Sequence, residues 1–206
     1  MQPFQRLTAV ASPLPYANID TDQLIPARFM KRSRAEGYGG YLLHDMRFSG
    51  DGAEIPDFPL NRPDRRTAQI VVARRNFGAG SSREAAVYAL VDYGIRCVIA
   101  PSFGDIFASN SVNNGLLPAK VDETDAEALI LMLQRDGAAL TVDLEAQSIT
   151  AGDLTVPFTV DPVWRMKLLN GWDDIDLTLN QADAIARFTA MDAARRPWAV
   201  PRAQAG

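Results

Sequence analysis

The sequence predicts an α/β fold organised around a parallel β-α-β-α-β core. Three observations carry that expectation. Two short apolar runs rich in β-branched residues, inside TAQIVVARR (67–75) and IRCVIAPS (95–102), have the unbroken hydrophobicity of strands covered on both faces. Each leads into a helical pattern, SREAAVYALVDYG (82–94) and FGDIFASNSVNNG (103–115), stopped by Gly94 and Gly115. A third strand, LLPAKV (116–121), completes the alternation. Strands joined through helices in this way form parallel sheets with right-handed crossovers.

The other elements follow in chain order. RLTAVASPL (6–14) alternates weakly and reads as a first strand. The segment 18–48, NIDTDQLIPARFMKRSRAEGYGGYLLHDMRF, reads as a loop with short helices, and loops of that length are often functional. SGDGAEIPDFPLNRPDRR (49–66) is rich in Pro, Gly and Asp and reads as surface loop. ETDAEALILMLQRDG (123–137) is an amphipathic helix closed by Gly137. Residues 138–160 read as one hairpin turning near Ala151-Gly152. Asp161 caps a helix whose first residue is Pro162. A final helix with its own approach spans 173–196, and 197–206 is a loose tail on a single domain covering 1–206.

Composition excludes several function classes. The chain has 206 residues and a formal net charge of -4, without the basic patch that a nucleic-acid footprint needs. No apolar run approaches a membrane span, and the first residues lack a signal peptide's charged start and apolar core, so a cytoplasmic protein is expected. One cysteine makes no internal disulfide and cannot supply an iron–sulfur or thiolate zinc site. Cys97 sits in a buried strand and reads as an inert core residue, and His44, the only histidine, as structural or surface. No metal or cofactor is expected on this chain.

The chemistry concentrates in Gly78-Ala79-Gly80-Ser81-Ser82-Arg83-Glu84, between a strand and a helix. A P-loop lysine is absent, a dinucleotide fingerprint fails at Arg83, and neither serine fits a nucleophile elbow. Two readings stand. Ser81 and Glu84 form a Ser-x-x-Glu capping box. Alternatively, the helix N-terminus offers free N–H donors to an anion, Gly78 and Gly80 admit a ligand to the backbone, and Arg83 grips a carboxylate bidentately. Position favours the anion, because ligands of open parallel sheets bind beyond the carboxyl ends of strands. The next helix starts at that same edge, so Ser81, Ser82, Arg83 and Ser102 are expected to face one crevice.

The stretches NIDTDQLIPARFMKR, NFGAGSSREAA, IAPSFGDIF, NNGLLP and LNGWDDIDLTL together resemble the small-subunit family of the 3-isopropylmalate dehydratases, within the aconitase superfamily. The resemblance implies a swivelling β/β/α domain of the aconitase type. It implies a separate large subunit that holds a 4Fe-4S cluster, and a small dicarboxylate substrate. The implied reaction isomerises 2-isopropylmalate to 3-isopropylmalate by dehydration and rehydration, a hydro-lyase step of leucine biosynthesis. Carried over, Ser81 is the base on the substrate carbon, and Ser82 and Arg83 hold the substrate. Arg28, Lys31 and Arg32 are candidates for a further carboxylate contact, and Asp20-Thr21-Asp22 for the cap of a short helix.

The chain departs from the family pattern at Ala79, Ala85, Ser111 and Asn113. Ala79 removes a thiol near the site and Asn113 a positive charge. Two alternative readings accompany these departures: a paralogue acting on citraconate or another short branched malate, and a non-catalytic anion-binding regulatory domain.

Overall fold

The computed structural model describes residues 1–136 and 139–199. Strand β1 (Arg6–Leu14) is followed by the long segment, which holds two one-turn helices, α1 (Thr21–Leu24) and α2 (His44–Arg47), with 3-10 turns between them. The alternating core then runs β2 (Ile70–Ala73), α3 (Glu84–Tyr93), β3 (Cys97–Ala100), α4 (Asp105–Asn113) and β4 (Leu117–Lys120). Helix α5 (Glu123–Asp136) leads to β5 (Ala139–Asp143), β6 (Ser148–Ala151) and β7 (Leu154–Pro157). The chain closes with α6 (Pro162–Asn170), α7 (Asp174–Leu179) and α8 (Ala182–Arg195). Gly137 and residues 200–206 lie outside the described residues, while Pro197–Ala199 form a 3-10 turn.

One seven-stranded sheet has the order β4-β3-β2-β1-β5-β6-β7. Strands β2, β3 and β4 are parallel, as the sequence predicts, and β1 joins them as a fourth parallel strand beside β2. The last three are antiparallel to their neighbours. The single hairpin expected at 138–160 is in fact a three-stranded meander. Its additional turn falls at Leu144–Gln147, where Gln147 has a φ of 51°. That turn carries no glycine or proline, so composition did not mark it.

Strand β1 belongs to both halves of the sheet. Arg6–Val10 pair antiparallel with β5, and Ala11–Leu14 pair parallel with β2. Burial changes at the same place, from half-covered over 6–10 to fully buried over Ala11–Leu14. Parallel strands are covered on both faces, and the weak alternation of RLTAVASPL records the change. The sheet also curls: Lys120, the last residue of β4, and Thr159, just past β7, exchange backbone hydrogen bonds of 3.1 and 2.7 Å.

Alternate residues of the strands enter two cores. Ile70, Val72, Cys97, Ile99, Leu117 and Ala119 pack with α5 and the antiparallel half. Val71, Ala73, Val98 and Ala100 pack with α3 and with the long segment through Ile19, Leu24, Ile25, Leu42 and Leu43. Burial pushes the Cys97 thiol well above its ordinary pKa, so it is a core group, not a nucleophile.

The 49–66 segment is not all surface. Phe58, Leu60, Asn61 and Arg65 are buried. Asn61 accepts from Arg47 Nε at 2.9 Å and donates to the Arg47 carbonyl at 2.7 Å, so this polar pair fastens the two loops together inside the protein. A Pro-rich composition hides such a pair, because its partner lies fourteen residues away. At the other end, Asp161 caps α6 as expected, accepting from Val163 N at 2.8 Å and Trp164 N at 3.2 Å. The segment after α6 forms two helices, α7 and α8, whose Ile175, Leu179, Phe188 and Met191 are exposed. Among the described residues no helix is long and apolar enough to cross a membrane.

Asn61→Ala removes the acceptor of the buried Arg47 Nε and leaves the guanidinium only the Leu42 carbonyl as acceptor among the described residues. The expected cost is about 1.5–3 kcal/mol of unfolding free energy, measured by urea denaturation. A change below about 0.5 kcal/mol would return this segment to an ordinary surface loop.

Candidate active site

At the carboxyl ends of β1, β2 and β3 the backbone pairing does not stop. Asn18 N donates to Arg75 O at 2.9 Å, Gly78 N to Ile19 O at 2.7 Å, and Thr21 N to Ala79 O at 2.9 Å. On the other side, Phe77 N donates to Ser102 O at 3.0 Å and Gly104 N to Phe77 O at 2.9 Å. Three loops are thereby joined into a short extension of the parallel sheet. Left-handed residues shape the middle loop: Asn76, Gly78 and Gly80 have φ of 63°, 71° and 99°. Packing by itself requires glycine at 78, which also lines the crevice beside Ser81. A Cβ there would stand 2.2 Å from Phe107 Cγ, and one at Gly104 would stand 2.6 Å from Gly78 O.

The capping-box reading of Ser81 fails. Helix α3 begins at Glu84, its N-cap is Arg83, and no side chain caps it. The Glu84 carboxylate instead accepts from Asn114 Nδ2 at 3.0 Å. Ser81 lies in the loop before the helix and lines a crevice of about 190 Å³. Its neighbours in that crevice include Thr21, Gly80, Arg83 and the first turn of α4, from Gly104 to Phe107. Helix α4 has no side-chain cap either. The starts of two parallel-core helices, both with uncapped N–H donors, thus flank one opening. Ser81 Oγ has no hydrogen-bond partner among the described residues.

Arg83 Nη1 donates to Asp22 Oδ1, which anchors one end of the guanidinium. Its Nε and Nη2 have no partner among the described residues, and that free edge has the geometry for a carboxylate. Ser82 is exposed and is not part of the crevice lining. Ser102 does not face the crevice as expected. Its hydroxyl accepts from Asn76 N at 2.8 Å, so it clasps two loops and lines a neighbouring cavity.

The basic trio of the long segment is not brought to Ser81. Arg28 lines a separate cavity with His44 and Asp45. It donates to both Asp45 oxygens, and its guanidinium holds that carboxyl down to about 2. Arg32 pairs with Glu36 at 3.5 Å, and Lys31 is exposed with no ion-pair partner among the described residues. His44 packs against Phe29 and Phe48, a structural place. The start of α4 lies at the crevice as expected, whereas sequence reading missed Asp22 as the anchor of Arg83 and took Thr21 for part of a cap. The cap is a box made by Asp20 and Gln23: Asp20 Oδ1 accepts from Gln23 N at 2.7 Å, and Asp20 N donates to Gln23 Oε1 at 2.9 Å. Only three-dimensional pairing of the loops after β1 and β2 reveals what Thr21 and Asp22 touch.

Residues 1–124 match the family described as the Aconitase C-terminal domain. Residues 132–162 match LeuD_N, and 174–202 match the C-terminal domain of the 3-isopropylmalate dehydratase small subunit. The 3-isopropylmalate dehydratase small subunit of Brucella canis is 51% identical over 201 residues, covering 97% of this chain and all of that protein. The chain belongs to the 3-isopropylmalate dehydratase small-subunit family. The small subunit from Rhodospirillum centenum is 50% identical over 202 residues, with 97% and 100% covered. A solved 3-isopropylmalate dehydratase (leuD) structure from Methanocaldococcus jannaschii has the same fold, with a TM-score of 0.64 at 24% identity over 88% of this chain and 98% of that one.

The departures from the dehydratase small-subunit pattern leave the crevice built. Ala79 contributes its backbone, paired with Asp20 and Thr21. Asn113 lies outside the crevice lining, where the buried Lys167 donates to Asn113 Oδ1 and, at 2.6 Å, to Asp174. Among the described residues no three His, Cys, Asp or Glu side chains are grouped to hold a metal, and the donor set here does not fit an iron–sulfur cluster.

Gly78→Ala adds a methyl inside the Phe107 ring and forces a non-glycine residue to a positive φ. We expect a loss of at least about 2 kcal/mol in chemical denaturation. A stable but inactive variant would mean that Gly78 serves ligand approach instead.

Proposed function

We propose that this chain is the catalytic small subunit of a hydro-lyase that interconverts 2- and 3-isopropylmalate together with a large subunit. Family membership supports the activity. One observation of geometry carries the assignment of residues: an unpartnered serine hydroxyl, Ser81, stands in a crevice with Arg83 and the uncapped start of α4.

Isomerisation of a malate by dehydration removes a proton from one carbon and a hydroxyl from its neighbour, then returns them with the positions exchanged. The proton requires a base that can hand it back. A serine alkoxide is a strong base and is very unfavourable in water. Helix N-termini and a nearby guanidinium lower its cost by offering fixed positive potential where the negative charge develops. Ser81 accepts the proton in the first half-reaction and donates it in the second. The free edge of Arg83 takes a substrate carboxylate through two parallel hydrogen bonds, and Asp22 keeps the fork aimed. Ser82, exposed beside them, is assigned to the same substrate at the mouth of the crevice. The 4Fe-4S cluster implied by the superfamily relationship is assigned to the large subunit. Arg28, Lys31 and Arg32 are assigned to the wall that faces the substrate once that subunit is in place.

Ser81→Ala tests the reading. The side chain caps nothing, so stability should stay within about 0.5 kcal/mol. Turnover of the complex with the large subunit should fall at least about a hundredfold with association preserved. Near-normal turnover would remove Ser81 from the chemistry.

A further inference from the structure

Thr21 has two hydrogen bonds to the loop that carries Ser81, sixty residues away. Its backbone N–H donates to the Ala79 carbonyl at 2.9 Å, and its hydroxyl donates to the Ser81 carbonyl, also at 2.9 Å. Thr21 is 2% exposed, so the donor of this second bond is held in the interior while its acceptor lies nearer the surface. Between the two anchored carbonyls lies Gly80, at a φ of 99°, whose α-carbon faces Thr21 Oγ1 closely enough that an added Cβ would stand 3.4 Å from it. The bond from Thr21 is also the last backbone hydrogen bond on the loop before the helical turn, which opens with Ala86 N donating to the Arg83 carbonyl at 3.1 Å. The helix has no side-chain cap, and the other tie in this stretch is the Arg83 side chain on Asp22.

We propose that Thr21 is a positioning residue for the reaction: its hydroxyl fixes the peptide plane after Ser81 and so sets the direction of the Ser81 Cα–Cβ bond. The proposal rests on the reading of Ser81 as the base. The physical need is clear. A free hydroxyl with no hydrogen bond of its own is aimed only by its backbone, and a misplacement of about 1 Å can lower a rate by roughly a hundredfold. Thr21 is suited to the task for a second reason. It opens α1, whose Asp20–Gln23 capping box locks that turn, so the donor is itself held rigidly. The neighbouring Asp22 anchors Arg83 from the same turn. One short helix thereby orients both the proposed base and the proposed carboxylate clamp.

The test compares five forms of the complex with the large subunit: unmodified, Ser81→Ala, Thr21→Val, Thr21→Ser and the double variant Thr21→Val with Ser81→Ala. Valine keeps the shape of threonine and removes the donor, while serine keeps the donor. Thr21→Val should lower kcat at least about tenfold with KM changed less than about threefold, and Thr21→Ser should stay near the unmodified enzyme. Adding Thr21→Val to Ser81→Ala should slow it no further, a coupling that a general loss of stability would not produce. Thr21→Ala carries the test if the valine form fails to assemble. A Thr21→Val enzyme with unchanged kcat, beside an inactive Ser81→Ala, overturns the positioning role alone. Equal losses in the valine and serine forms also overturn it. An active Ser81→Ala overturns the base assignment and this role with it.

Discussion

The crevice depends on backbone hydrogen bonding that runs on past the ends of the parallel strands. Loops after strands are ordinarily free to diverge. Here the loops after β1, β2 and β3 remain paired for several residues, from Asn18 with Arg75 to Gly104 with Phe77. The pairing demands close approach, and glycine at 78 and 104 permits it, with the Phe107 ring filling the space that a side chain at 78 would take. Because those bonds are backbone bonds, a change such as Ala79 in place of the family's cysteine leaves them intact. The side chains that matter chemically are then placed by a frame that they do not themselves hold together.

That frame has an electrostatic consequence. Two helices start at the same edge, and neither spends a side chain on its first N–H groups. Uncapped helix starts are costly when nothing satisfies them, so such ends favour an anion or a developing negative charge. Arg83 adds a full charge, anchored by Asp22 and open on its other edge. Ser81 is itself exposed, and what sets it apart is the positive potential that its deprotonated form would meet. Away from the crevice, the buried Lys167 joins Asn113 to Asp174 and so ties the start of α7 to the end of α4.

Much of this was legible in the sequence, and the illegible part has a physical pattern. Strands β2, β3 and β4 announced themselves as apolar runs followed by helices, and Asp161-Pro162 marked the start of α6 by local chemistry alone. The resemblance in GAGSSRE and IAPSF led to the family that the relatives establish. What local pattern could not express was contact at long range. Ser81 and Glu84 have the spacing of a capping box, yet α3 starts too late for Ser81 to cap it, and the Ser81 carbonyl pairs with Thr21 instead. Ser102 looked like a ligand residue and proved to be a clasp on Asn76. Asn61 and Arg65 sat in a stretch whose composition speaks of solvent, but each reaches the interior through partners far along the chain. Asp22 carried no local sign of its pairing with Arg83.

The central claim is that the substrate lies in the crevice between the Ser81 loop and the first turn of α4. A crystal structure of the complex with the large subunit and 2-isopropylmalate tests it most directly. The account predicts a substrate carboxylate on the Nε–Nη2 edge of Arg83, with Ser81 Oγ within about 3–3.5 Å of the carbon that loses its proton. Substrate bound elsewhere, with the Arg83 edge empty and Ser81 out of reach of that carbon, would contradict it.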